Sequence, residues 1–170
     1  PQWHFTGYTV SEEQYKFINQ KLPKHQFHVN LESYDNLDDG VQYDFIYSIE
    51  ALIHSLDIKK TMETWSSHLA PGGIIAIIDD FVSVGTDINE EGVQAFAKSW
   101  LANSLVTPTE LGAIGRKFGL EVVENRDLDA EFRIIELNYK NKAPDIRPFG
   151  GRTHQGWMGS KWRQRLTVEG

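Results

Sequence analysis

The chain has 170 residues, 40% of them hydrophobic and 24% charged, and no cysteine, which suits one domain with a sizeable core and excludes disulfides, thiolate metal centres and a cysteine nucleophile. Its longest apolar runs, DFIYSI and IIAIID, are strand-sized and far short of the roughly 20 residues a membrane span needs. The net charge of −7 disfavours a general nucleic-acid binder, although Arg147, Arg152, Lys161, Arg163 and Arg165 gather without an acid between Ile146 and Val168.

In chain order, QWHFTGYT is rich in aromatic and β-branched residues and reads as a strand. S-E-E-Q at 11–14 is a capping box, followed by Tyr15, Ile18 and Leu22 at helical spacing and by Pro23 as a stop. QFHVNL is a short strand and ESYDNLDDG a polar loop, after which Tyr43 to Ser48 form the next strand. Asp57 can cap a helix with Ile58, Met62, Trp65 and Leu69 on one face. Pro71-Gly72-Gly73 then turns the chain into Ile74–Asp79, an apolar run fit for a central strand covered on both faces. Glu91 to Leu101 is helical, T-P-T-E at 107–110 opens another helix, and Gly119 ends it before the strand LEVVENRD. Beyond Asn138 periodicity fades. Alternation of helix and strand predicts an α/β domain with a mostly parallel sheet.

In such sheets ligands bind beyond the carboxyl ends of the strands. Polar residues arrive there at Thr9 to Gln14, Glu32 to Asp35, Ser48 to His54, and Asp79-Asp80. Glu50 is either a solvated loop acid or a carboxylate facing a cationic ligand. His54 is either a surface histidine or a proton acceptor near neutral pH. The adjacent Asp79 and Asp80 are better suited to capping a turn than to holding a metal, and His25 and His28 lack a third ligand. No nucleophile elbow, zinc helix or phosphate loop appears in the sequence. Trp157 and Trp162 lie among the tail cations, a combination that superficially suits nucleic acid and is more often a surface loop.

Five segments in order carry a resemblance. GYTVSEEQ is similar to the Gly–aliphatic–Thr–aliphatic–Ser–x–x–Gln segment after the second strand of class I S-adenosylmethionine-dependent methyltransferases. ESYDNL stands in the place of that family's loop under adenine. YDFIYSIEALIHSLD resembles the fourth strand and its loop in sterol and prenyl side-chain methyltransferases. SSHLAPGGIIAIIDD is similar to the family's Pro-Gly-Gly turn and fifth strand, and PTELGAIGRKFGLEVVENRDL to its late helix and strand. The likeness covers roughly residues 5 to 130.

It implies a Rossmann-like fold and S-adenosylmethionine as cofactor. It places Thr9 and Gln14 at the ribose, Ser33 and Tyr34 beside the adenine, and Ser48 and Ile49 near the methionine moiety. Glu50 would then stabilise positive charge, and His54 would orient the acceptor or take its proton. The acceptor implied is a small, apolar molecule such as a sterol, a prenyl compound or a polyketide-like compound. Residues 1–145 would form the methyltransferase domain, with 81–108 as lid and acceptor region in which Phe81, Phe96 and Trp100 either cover the acceptor or pack in the core. Residues 146–170 would be a basic, irregular segment.

The family's first strand and glycine-rich turn are not found in this sequence, so the expected fold is an incomplete one, with a weakened cofactor site and weak or no activity. The alternative is a non-catalytic binding or assembly module derived from a methyltransferase, which associates through exposed strand edges as a homodimer. No export signal is legible after Pro1, and cytoplasm is the expected compartment.

Overall fold

A computed structural model describes residues 3–128. The basic segment 146–170, with Trp157 and Trp162, lies outside the described residues.

The first strand, β1, is Phe5–Thr9, followed by helix α1 at Glu12–Lys21 and strand β2 at Phe27–Leu31. Ser11 caps α1 by accepting the Gln14 N–H at 3.3 Å. Glu12 and Glu13 in the first turn and Lys21 in the last suit the helix dipole. The Leu22 N–H closes the helix on the Ile18 carbonyl at 2.9 Å, and Pro23 follows. With a helix as crossover, β1 and β2 pair in parallel, in a register running from Phe5 opposite Phe27 to Thr9 opposite Leu31. The rings of Phe5 and Phe27 stack with centroids 4.8 Å apart.

Strand β3 spans Tyr43–Ile49, helix α2 Ile58–Ser67 and strand β4 Leu69–Ile78. β3 and β4 form a second two-stranded sheet. They run in the same direction, since Tyr43 N–H reaches the His68 carbonyl and Glu50 N–H the Ile78 carbonyl, both at 2.8 Å. The expected turn at Pro71-Gly72-Gly73 is a kink inside β4, which begins at Leu69 rather than Ile74. Gly72 takes a φ of +78°, and a methyl on Gly73 would meet the Ala70 carbonyl at 2.9 Å. Glycine is what lets the strand bend and continue.

Helix α3 is Glu91–Trp100 and helix α4 is Pro108–Arg116. Thr107 and Glu110 form a complete capping box over α4, with proline in the first turn. The architecture is thus α/β, with parallel strands and flanking helices, as expected.

Two expectations fail. LEVVENRD contains no strand. Val122 leans on Gly112 of α4, so closely that a methyl there would lie 2.9 Å from its Cγ2, and the segment pairs with no strand among the described residues. Hydrophobic alternation cannot make a strand without a partner for its backbone groups. Nor are β3 and β4 covered on both faces: Tyr47, Ile49 and Ile74 are each more than half exposed. Sheets of two strands cannot shield both faces along their whole length.

The described residues group into two compact units, 3–46 with 59–75 and 47–58 with 76–128. In the first, Leu37, Met62 and Trp65 are buried. In the second, Ile53, Phe96 and Ala102 form a core joined by Ala97, Trp100 and Leu105. Among the described residues no helix is long and apolar enough to cross a membrane.

Candidate functional site

The predicted residues fall into two clusters, one in each unit. In the first unit the parallel register brings Thr9 and Leu31 to the same end of the sheet, so Thr9, Gln14, Ser33 and Tyr34 all follow the carboxyl ends of β1 and β2. The Thr9 hydroxyl donates to Gln14 Oε1 at 2.6 Å and accepts the Ser11 N–H at 3.1 Å. The capping box therefore closes only on the Ser11 side. The Ser11 N–H that Gln14 was expected to accept goes to Thr9, and Gln14 is recruited to the strand end. The result is a neutral hydroxyl and amide pair whose amide N–H groups remain for a ligand.

Ser33 caps a single 3-10 turn, Tyr34–Asn36, accepting the Asp35 N–H at 3.2 Å. Asp35 in turn accepts the hydroxyl of fully buried Thr61 at 2.6 Å, which ties the loop to α2. The Tyr34 ring meets Trp65 edge-on, with centroids 5.7 Å apart. Its ring thus packs on α2.

An open hollow of about 320 Å³ lies on the Tyr8 and His28 face of this sheet and reaches Asp38 and Asp39; none of the four predicted residues lines it. Asp39 was not foreseen. Tyr8 donates to its Oδ2 at 3.1 Å, Tyr43 donates to the same oxygen, and the Val41 N–H donates to Oδ1 at 3.0 Å. Burial tends to raise the Asp39 carboxyl, but the bonds from Tyr43, Val41 and Tyr8 prevail and hold it below the ordinary range. Burial and the Asp39 charge push the Tyr8 phenol well above its usual value, and burial with the Asp39 hydrogen bond raises that of Tyr43.

The pH dependence follows. A depressed carboxyl contributes stability above its unfolded value of 3.8, lost as pH falls towards the folded value. A raised phenol contributes stability that is intact below 10.0 and lost as pH climbs past it. Thermal melts across pH should therefore show an alkaline decline starting near pH 10, and Tyr8→Phe should flatten it. An unchanged alkaline limb in that variant would disprove the assignment.

In the second unit the chain leaves β3 through a turn that buries Leu52, Ile53 and Ser55 and exposes Glu50 and His54. Glu50 adopts a φ of +48°. The turn is held from both sides. Asp79 Oδ2 accepts the N–H groups of Ala51 and Ile53, each at 3.1 Å, while Oδ1 accepts the Asp80 N–H at 2.9 Å. Asp79 is thus a cap, as its residue type suggested, and it caps the turn after β3 rather than the one after its own strand.

From the other side, the Asn103 and Ser104 N–H groups reach the Ile53 carbonyl at 2.9 and 3.0 Å. Asn103 Nδ2 donates to the His54 carbonyl at 2.9 Å and the Ser104 hydroxyl to the Ser55 carbonyl at 2.8 Å. His54 Nδ1 lies 3.1 Å from the Leu101 carbonyl. Phe96 belongs to the core behind this turn, so it packs rather than covers an acceptor. Ser48 is buried at 6% exposure, and its hydroxyl has no hydrogen-bond partner among the described residues. Ile49 is exposed.

No sequence signal marked Asn103 or Ser104 as supports of this turn, and Asp79 was marked as a cap but not for this turn, because each acts across a long separation in the chain. Among the described residues, no group of three His, Asp or Glu side chains is placed to hold a metal ion.

No curated protein sequence matches the chain. Solved structures do. A protein of Galdieria sulphuraria assigned as a sarcosine dimethylglycine methyltransferase aligns with a TM-score of 0.70 at 17% identity, over 95% of this chain and 63% of its own. Phosphoethanolamine N-methyltransferase 2 of Haemonchus contortus, in complex with S-adenosyl-L-methionine, aligns at 0.72 and 17% identity, over 96% of this chain and 39% of its own. The cyclase SpnF aligns at 0.66 and 15% identity, over 95% of this chain and 61% of its own. The chain therefore spans less than two thirds of these proteins, and at such identities the likeness shows the fold alone. A family model described as a methyltransferase domain matches residues 2–125; the chain belongs to that methyltransferase-domain family.

Proposed function

We propose that this chain carries S-adenosylmethionine-dependent methyl transfer to a small, apolar acceptor. The observation that carries the reading is the turn after β3, where Asp79 and residues 101–104 clamp the backbone while Glu50 and His54 stay exposed. A turn fixed on both sides with two ionisable side chains left outward is an arrangement for orienting a reactant, and methyl transfer depends on alignment above all.

The donor sets suit the cofactor. Thr9 and Gln14 present a hydroxyl and an amide at a strand end, which can satisfy the hydroxyls of a ribose without an acid. Ser48 has a buried hydroxyl with no partner among the described residues, and such groups call for one. Ser33 and the Tyr34 main chain are the candidates for the adenine, and Ser48 and Ile49 for the methionine moiety. Bound S-adenosylmethionine supplies an electrophilic methyl group on a cationic sulfur. Glu50 stabilises that positive charge, and His54 orients the acceptor or takes its proton.

Isothermal titration of the chain with S-adenosylmethionine should show saturable binding. Thr9→Val, which removes one hydrogen-bonding hydroxyl, should lower the affinity about tenfold. Absence of any binding heat from chain shown to be folded would refute the assignment.

A further inference from the structure

Among the described residues, only Glu50 and Leu101 combine a side chain beyond hydrogen with a positive φ, +48° and +54° respectively. Both belong to the constellation around His54. Leu101 ends α3, where a left-handed residue is ordinarily a glycine, because a Cβ disfavours that conformation. Burial does not account for the leucine, whose side chain is 72% exposed. The conformation does have a directional result: it sets the Leu101 carbonyl 3.1 Å from His54 Nδ1.

A carbonyl oxygen can only accept a hydrogen bond, so Nδ1 carries a proton, and in the neutral ring Nε2 then holds the lone pair. The contact is reinforced on each side. The Ala102 N–H bonds the Ala97 carbonyl at 2.9 Å, holding the end of α3. Asn103 Nδ2 donates to the His54 carbonyl at 2.9 Å, holding the main chain below the ring. Nε2 itself has no hydrogen-bond partner among the described residues.

We propose that Leu101 is a positioning residue: its left-handed main chain fixes His54 as the Nδ1–H tautomer and leaves Nε2 as the basic nitrogen. This rests on the reading of His54 as the group that meets the methyl acceptor, and adds to it which nitrogen faces the proton and what keeps it basic. Unrestrained imidazole in water favours the opposite tautomer, with the proton on Nε2, so the effect can be read directly.

Nitrogen-15 NMR of the full chain, with His54→Asn used to assign the signals, should show neutral His54 with a protonated Nδ1 and an unprotonated Nε2. Leu101→Ile, β-branched and ill suited to positive φ, should shift the population towards Nε2–H, and Leu101→Gly should restore the parent pattern. An Nε2–H parent overturns the proposal, and so does a folded Leu101→Ile chain with the parent pattern. If Leu101→Ile does not fold, the parent tautomer decides. Cofactor binding is scored separately by calorimetry. A chain that shows Nδ1–H without binding S-adenosylmethionine therefore refutes the functional reading and supports the positioning.

Discussion

Replacing Asp79 by alanine should lower stability by about 3 kcal/mol and release the turn that presents Glu50 and His54. The carboxylate accepts three backbone N–H groups, from Ala51, Ile53 and Asp80. Bonds to a charged acceptor contribute about 1.5–3 kcal/mol each when half-buried donors are left bare. Part of that loss is recovered as water reaches the freed groups, which sets the lower total. In a chain of this length the change corresponds to a fall in melting temperature of about 6–12 °C. Calorimetry checks the stability and amide hydrogen exchange at Ala51 and Ile53 checks the release. A melting temperature within a degree of the parent would show that the clamp contributes little. Asp79→Asn should recover part of the loss, since its side-chain oxygen can still accept.

The second large effect is on turnover. His54→Asn places an amide N–H where Nδ1 sits and so can keep the bond to the Leu101 carbonyl, while removing any basic nitrogen. If His54 takes the acceptor's proton, methyl transfer should fall by about 10²- to 10⁴-fold, with the melting temperature nearly unchanged because the side chain is exposed. Rate loss without loss of fold separates chemistry from scaffolding. A variant that retains full turnover would leave His54 as an ordinary surface residue.

The elements that local chemistry writes were legible in the sequence. Ser11 and Thr107 mark helix starts through side chains that satisfy the first backbone N–H groups, Pro108 does so through its fixed φ and missing N–H, and those helices begin where the pattern places them. The parallel pairing of β1 and β2 follows from the helix between them. What depends on distant partners was not legible. LEVVENRD has the alternation of a strand, yet alternation says nothing about whether a neighbour is there to pair with. Pro71-Gly72-Gly73 looks like a turn, but the hydrogen bonds at the two ends of β3 carry the strand through it.

The site divides in the same way. Glu50 and His54 stand out as candidates because acids and histidines at a strand end carry their chemistry with them. Leu101 does not, since its contribution is a carbonyl that every residue possesses. Asp39 was missed for a related reason. It sits in a polar loop that reads as solvent-facing, and only folding brings Tyr8 to it across 31 positions of sequence.

The left-handed backbone at Glu50 has a consequence for how this protein can be improved. That geometry costs a residue with a Cβ about 1–2 kcal/mol, and glycine escapes it at the expense of a looser unfolded chain. Glu50→Gly should accordingly melt at or slightly above the parent temperature, by up to about 1 kcal/mol of added stability. Optimising this polypeptide for robustness alone would erase the acidic group of this turn first.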